Sequence, residues 1–222
     1  MKAKQITGEK AAEYVKDGMI IGLGTGSTAY YAVKKIGEMV RSGLKVKAVP
    51  TSRETAELAE AEEIELIELA EVDKLDLTID GADEVDKDFN LTKGGGGALL
   101  REKIVASATD KLIIIVDESK LVEKLGEFPL AVEITPFSWQ YTKKMVDKFY
   151  CSSQIRKNDG QIYVTDNGNY IIDCDFGVIE NPLKLTEELN KIPGVVENGI
   201  FAEMAEIVIV GFKSGEVKVL TK

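Results

Sequence analysis

Four short apolar runs, 19–23, 46–49, 75–79 and 112–116, alternate along the first half of the chain with segments of helical spacing. Apolar strands alternating with amphipathic helices imply a parallel sheet covered on both faces, each intervening helix supplying that cover. Ala29, Val33, Ile36 and Val40 recur at the helical period, and Gly43 follows as a stop. Thr51 has Glu54 three residues on, the capping-box pattern, and opens a helix through Leu58 and Ala61. A further helix is expected over 98–108. In parallel sheets ligands gather at the carboxyl ends of the strands. The turns at 24–28, 80–83 and 117–120 are therefore where chemistry is expected.

The pattern changes after Phe128-Pro129. A strand is expected over 131–134 and a helix over 137–149. Strands over 162–165 and 170–173 flank Asp166-Asn167-Gly168-Asn169, a strong hairpin turn. Asn181-Pro182 caps and opens another helix, Pro193-Gly194 ends it, and 195–201 reads as a last strand. This β-α-β-β-α-β order is that of a ferredoxin-like module. The tail, 207–210 and 217–220 around Ser214-Gly215, reads as a hairpin returning to the first domain. The expected fold class is α/β: a Rossmann-like, mostly parallel sheet domain over 1–127 plus 202–222, with a smaller ferredoxin-like α+β domain over 128–201.

The formal net charge is -10, which argues against nucleic acid or an anionic membrane surface as a partner. No apolar run reaches the length of a membrane span, and the first twenty residues lack a signal-peptide core. The expected location is cytoplasmic, with Cys151 and Cys174 reduced and structural. The chain has no histidine. A general base near neutral pH must then be a carboxylate, Lys, Tyr, Cys or a water relay, and Ser-His-Asp and His-based zinc sites are excluded.

Gly22-Leu23-Gly24-Thr25-Gly26-Ser27-Thr28 joins a strand to a helix, where backbone N–H groups and hydroxyls attract anions. A dinucleotide fingerprint fails because Ser27 stands where its third glycine belongs, and no Lys-Ser or Lys-Thr completes a Walker loop. Phosphate binding and a plain capped turn both fit. Asp80-Gly81-Ala82-Asp83-Glu84 brings carboxylates to the end of a strand. They could hold sugar hydroxyls or move protons, bind a divalent metal, or form an ordinary acidic turn. Lys93-Gly94-Gly95-Gly96-Gly97 supplies a cation and bare amides, the ingredients of an oxyanion site. Glu102 follows between Arg101 and Lys103, a triplet that could equally be a solvated helix face. Sequence neighbours on a helix point in different directions. Glu102 is thus expected to face the glycine loop with at least one flanking cation turned away.

Taken in order, Gly24-Thr25-Gly26-Ser27-Thr28, Asp80-Gly81-Ala82-Asp83-Glu84, Lys93-Gly94-Gly95-Gly96, Leu100-Arg101-Glu102-Lys103, Ser119-Lys120, Phe128-Pro129-Leu130, Val164-Thr165-Asp166-Asn167-Gly168-Asn169 and Ile192-Pro193-Gly194-Val195-Val196 resemble the A-type ribose-5-phosphate isomerase family. The likeness covers nearly the whole chain. It implies a cofactor-free, metal-independent interconversion of D-ribose 5-phosphate and D-ribulose 5-phosphate in the pentose phosphate pathway. Glu102 would move a proton between C2 and C1 through a cis-enediolate, and Lys93 with the amides of Gly94, Gly95 and Gly96 would stabilise the oxyanion. Asp80 and Asp83, with Gly81 and Ala82 between them, would hold the sugar oxygens, Asp80 also assisting ring opening. Thr25, Gly26, Ser27, Thr28 and Lys120 would bind substrate, with Ser27, Thr28 and Lys120 at the phosphate and Lys4 as a further candidate. A homodimer or homotetramer is implied. Acyl-CoA transfer through a Glu102 nucleophile, and a non-catalytic sugar-phosphate or nucleotide sensor, are the competing readings.

Overall fold

The computed structural model describes every residue of the chain except Met1 and Tyr150. By packing, the chain divides into two compact units: Met1–Ala82 with Arg101–Lys120 and Met204–Lys222, and Asp83–Leu100 with Leu121–Glu203. The first unit opens with α1 (Lys2–Ala12), β1 (Ile20–Leu23), α2 (Ala29–Arg41), β2 (Lys47–Pro50), α3 (Arg53–Ala61), β3 (Glu65–Leu66) and β4 (Leu77–Asp80). The second holds β5 (Glu84–Val85) and β6 (Leu91–Thr92). Most of α4 (Leu99–Ser107) and all of β7 (Leu112–Asp117) belong to the first. Then come β8 (Leu130–Ile134), α5 (Trp139–Val146), β9 (Ser152–Ile155), β10 (Lys157–Asn158), β11 (Gln161–Ile162), β12 (Tyr170–Asp175), α6 (Pro182–Leu189), β13 (Val195–Asn198) and β14 (Ile200–Phe201) in the second. The hairpin β15 (Ile207–Gly211) and β16 (Val217–Thr221) closes the first.

The first unit is built on a seven-stranded sheet in the order β16-β15-β7-β4-β1-β2-β3. Every neighbouring pair is parallel except β15 with β16. From β1 the chain steps outward to β2 and β3, then crosses back to lay β4 on the other side of β1. The switch point of this Rossmann-like sheet thus lies between β1 and β4, where a crevice opens at the carboxyl ends. One face buries Ile21, Leu23, Ile79, Ile113 and Ile115 against Ala11, Ala32, Val33, Ile36 and Ala59 of the first three helices. On the other face Val105 of α4 packs with Val49 and Leu75. Gly22 makes that approach possible, since a Cβ there would lie 2.7 Å from Val105 Cγ1 and 2.2 Å from Thr78 Oγ1.

Helix α1 has no counterpart among the sequence expectations. It buries Thr7, Gly8, Ala11 and Ala12, small residues that leave no apolar stripe to read. Close approach is what those residues provide: a Cβ at Gly8 would stand 2.7 Å from Ala32 N of α2.

In the second unit the sheet order β13-β8-β12-β9 is antiparallel throughout, with β12 lying between β8 and β9. That is the split β-α-β arrangement of a ferredoxin-like module. Leu130, Val132, Ile134, Ile172, Leu189 and Ile192 lie in its core. A separate three-stranded sheet, β14-β6-β5, belongs to the same unit.

Three expectations need correction. The 162–165 strand does not pair with β12. Its turn forms, with Gly168 N–H donating to Thr165 O, but β12 pairs with β9 and β8 instead. The polar residues of that turn are drawn inward: Thr165 Oγ1, Asn167 Nδ2 and Asn169 Nδ2 all donate to Oε1 of the buried Glu133. The strand expected over 195–201 is two strands in two sheets, broken at Gly199, whose N–H donates to Ala131 O and whose carbonyl accepts from Lys93 N–H. That carbonyl contact also explains the third difference. Residues 83–100, expected in the first domain, pack in the second unit because β6 pairs with β14. The expected 128–201 module lies inside that unit. Among the described residues no helix is long and apolar enough to cross a membrane.

Candidate functional site

At the carboxyl edge of the seven-stranded sheet, Asp80 ends β4 almost fully buried. Its Oδ1 accepts from Gly81 N–H at 2.7 Å and Thr25 N–H at 3.2 Å, so the carboxylate ties together the turns after β1 and β4 across the switch point. Gly24 is required beside it, because a Cβ there would fall 2.1 Å from Asp80 Oδ1 and 2.5 Å from its Cα.

Thr25 sends its hydroxyl into a buried network. Its Oγ1 lies 2.7 Å from Thr51 Oγ1, 2.8 Å from Ser52 Oγ and 3.2 Å from Thr55 Oγ1. Thr51 donates to Leu23 O and Thr55 to Gly24 O, while Ser52 caps α3 by accepting from Thr55 N–H. The Thr25 hydroxyl therefore serves the turn itself, and what it leaves open is Gly26, Ser27 and Thr28. Gly26 and Ser27 are exposed, and Gly26 takes a φ of +113°. Thr28 precedes α2 and makes no side-chain cap, leaving the helix start to the bare backbone.

Cations collect at the same edge. Lys4 Nζ donates to Ser27 Oγ at 2.8 Å. Lys4 and Lys120 both bear on Asp117, at the end of β7. Burial pushes the Asp117 carboxyl up, but hydrogen bonds from the Ser119 hydroxyl and amide, with the Lys4 and Lys120 charges, outweigh it and hold the group below its ordinary value. Lys4 and Lys120, far apart in sequence, thus both lie near Asp117, and Lys4 also reaches Ser27, all within one unit.

Glu102 sits in the first turn of α4 with only 5% of its surface exposed. It shares a buried helix face with Val105 and Ala106, three and four residues on. Leu75 N–H donates to Ala108 O, and Asp110 N–H to Leu75 O, so the end of α4 lies at the amino ends of the strands. Its start, with Glu102, consequently lies towards the carboxyl ends. Arg101 lines a cleft with Ser52, Arg53, Ile104 and Val105.

In the second unit Lys93 is 3% exposed, with its ammonium 5.5 Å from the Phe201 ring centroid. Gly199 lies against its backbone, where a Cβ would be 2.1 Å from Lys93 O. The glycine run turns back on itself through Gly97 N–H donating to Gly94 O. Gly95 N–H donates to Asp83 Oδ2 at 2.7 Å, so Asp83 serves the loop directly. Gly94 and Gly97 adopt φ of +101° and +83°, and a Cβ at Gly97 would stand 2.3 Å from Tyr163 Oη. Gly95 and Gly96 are exposed. Glu84, the last acid of the 80–84 motif, acts structurally, accepting from Thr92 Oγ1 and from the amides of Gly126 and Phe128. Gly81 and Ala82, between the two aspartates, are half-buried.

Sequence reasoning missed Phe201, Gly199, Arg156 and Tyr163, which hold Lys93 and the loop. Nothing local distinguishes them, because each acts through contacts made by folding.

A doubly wound α/β sheet with buried carboxylates and clustered cations at its carboxyl edge defines a small-molecule-binding α/β protein of the kind that takes anionic ligands at a switch point. The family model for ribose 5-phosphate isomerase A (phosphoriboisomerase A) matches residues 47–215. A ribose-5-phosphate isomerase A of Bacillus mycoides is 55% identical over 97% of this chain and 98% of its own. Among solved structures, ribose 5-phosphate isomerase from Plasmodium falciparum superposes with a TM-score of 0.97 at 41% identity, covering 100% of this chain and 99% of that one. A D-ribose-5-phosphate isomerase in complex with phospho-erythronic acid gives 0.95 at 42%, covering 99% and 98%. The chain belongs to the ribose-5-phosphate isomerase A family.

Proposed function

We propose that this chain interconverts D-ribose 5-phosphate and D-ribulose 5-phosphate, with Glu102 as the acid/base. The observation that carries the proposal is a buried carboxylate in the first turn of α4, near the carboxyl edge of the sheet, in a chain without histidine. Burial disfavours the charged carboxylate, which is the way a glutamate is made basic enough to remove a proton next to a carbonyl. The phospho-erythronic acid bound by a solved relative supports the substrate class.

The phosphate is assigned to the backbone and hydroxyls of Gly26, Ser27 and Thr28 with Lys4 and Lys120. Asp80 receives sugar hydroxyls and assists ring opening. Glu102 then takes the C2 proton of the open aldose, and the electrons of that bond move to make a C1–C2 double bond and negative charge on O1. Lys93 and the glycine amides stabilise this oxygen, with Asp83 holding the loop. Glu102 returns its proton to C1 while a second proton passes from O2 to O1, which gives the ketose with atoms and charge balanced. The Thr25 hydroxyl contributes by fixing the phosphate turn. No step calls on a metal or cofactor, so turnover is expected to survive exhaustive chelation.

The small-domain assignment and the place in the pentose phosphate pathway belong to the same reading, as does a cytoplasmic homodimer or homotetramer. The two free thiols Cys151 and Cys174 fit a reducing compartment. Incubation with ribose 5-phosphate in deuterated water, followed by NMR, should show ketose formation with solvent label entering at carbon. Binding without turnover would favour a sugar-phosphate sensor, and conversion without label exchange would replace proton transfer by another mechanism.

A further inference from the structure

The glycine run has no side chains with which to hold its own shape, and glycine peptides turn over with little steric resistance. Yet two consecutive carbonyls of the run point at one group. Arg156 Nη1 donates to Gly94 O at 2.7 Å and to Gly95 O at 3.2 Å. The guanidinium is itself aligned by Asp173, which accepts from Nε at 3.0 Å and from Nη2. Tyr163 lies beside it, its ring centroid 5.8 Å from Arg156 Cζ, with its hydroxyl 3.4 Å from Gly96 O. Arg156 is further anchored through its backbone, donating from N–H to Ile171 O and accepting from Tyr163 N–H. The Arg156 side chain is 14% exposed, so this is a built contact within the fold.

Planar trans peptides convert those carbonyl contacts into a statement about N–H groups. In each peptide unit the carbonyl and the next residue's N–H point in opposite directions. With the carbonyls of Gly94 and Gly95 held to the guanidinium, the N–H groups of Gly95 and Gly96 must point away from it. Gly95 N–H meets Asp83 there, and Gly96, which is exposed, presents its N–H on that side.

We propose that Arg156 is a positioning residue for the isomerisation: aligned by Asp173, it clamps the carbonyls of Gly94 and Gly95 so that the Gly96 amide is fixed as an oxyanion donor. The inference rests on the reading of the glycine run as an oxyanion cradle. A planar fork suits this clamping, because one guanidinium can serve two carbonyls and a carboxylate at once, whereas a lysine ammonium has no such fixed fork.

The test compares Arg156→Ala, Arg156→Lys and Glu102→Gln with the unaltered protein, reading kcat and KM for ribose 5-phosphate, inhibition by phospho-erythronic acid, and thermal midpoint. The carboxylate of that acid presents an anionic oxygen where the reaction develops one. For Arg156→Ala, kcat is expected to fall about 10²-fold, the scale for losing an oxyanion donor, with KM changed less than about threefold. The inhibition constant should rise in step with the kcat loss, and Arg156→Lys should recover part of both. Arg156→Ala retaining its kcat while Glu102→Gln is inactive would overturn this inference and leave the isomerase reading standing. A folded Arg156→Lys with KM raised and kcat unchanged would also overturn it. If the unaltered protein does not convert ribose 5-phosphate, the underlying reading fails first, and this inference with it.

Discussion

Two loops carry the proposed chemistry, and they are held in opposite ways. The turn after β1 joins its own support through a side chain: the Thr25 hydroxyl bonds Thr51, Ser52 and Thr55 of the β2–α3 connection, and Asp80 of β4 accepts from the Thr25 amide. The run from Gly94 to Gly97 has only backbone, and is held by side chains from elsewhere in its unit, namely Asp83, Arg156 and Tyr163. A loop with side chains spends them on its own shape and offers the ligand what remains. A bare loop offers its whole backbone, but leaves every side-chain contribution to its partners. Stability should accordingly be robust at the tips of both loops and fragile at their supports.

The largest effect is expected at the proposed base. Glu102→Gln should fold with an unchanged thermal midpoint and lose about 10³-fold or more in kcat. Retention of near-normal kcat would remove Glu102 from its role, and with it the shared purpose of the loops. Next comes the clamp on the bare loop, where Arg156→Ala is expected to act on kcat and not on KM.

The glycines sharpen the contrast between support and tip. Gly24→Ala drives a Cβ to within 2.1 Å of Asp80 Oδ1 and 2.5 Å of its backbone, and should destabilise the protein by about 3 kcal/mol in urea unfolding. Gly96→Ala meets nothing within 4 Å and has no left-handed φ, so stability should move by less than about 0.5 kcal/mol. If the two variants unfold alike, the difference in support is not real. Among the supports of the turn after β1, Thr51→Val keeps the volume while removing a hydroxyl that bonds both Thr25 and Leu23 O. A loss of about 1–2 kcal/mol is expected, with kcat nearly intact.

The smallest effect is acidic. Asp117 titrates below its ordinary value in the folded state, so its stabilising contribution is present above the unfolded-state value near 3.8 and is lost as pH falls through the lower folded value. Asp117→Asn should therefore flatten the decline of the urea midpoint at the acid end of its pH profile and lower the midpoint slightly near neutrality. An unchanged acid limb would mean that neither the Ser119 hydrogen bonds nor the Lys4 and Lys120 charges stabilise this carboxylate.

Legibility in the sequence followed the range of the interactions. β1, β2, β4 and β7 were readable because an apolar run is a local property, and so was α3, although its cap is Ser52 and not the Thr51 of the expected capping box, whose hydroxyl donates to Leu23 O instead. Helix α1 was not readable, because Thr7, Gly8, Ala11 and Ala12 are buried by fit and not by hydrophobicity. Asp80, Lys93 and Glu102 stood out through the residues around them, but no local pattern separated Asp83, which serves the glycine loop, from Glu84, which binds the amides of Gly126 and Phe128. The break at Gly199 was hidden for a similar reason: an apolar stretch looks the same whether it stays in one sheet or passes to the next.

The order of residues alone determined the alternation of strands and helices, the parallel sheet that follows from it, the absence of a histidine base, and the grouping of acids, lysine and glycines at strand ends. Those depend on period, composition and turn chemistry, which act within a few residues. Tertiary structure decided which hydroxyls face inward from the turn after β1, that Lys4 reaches Ser27, that Phe201 lies under Lys93, and that Arg156 grips two glycine carbonyls far away in the sequence. A hydrogen bond needs its partners at about 3 Å, and only the folded chain sets distances on that scale between residues far apart in sequence.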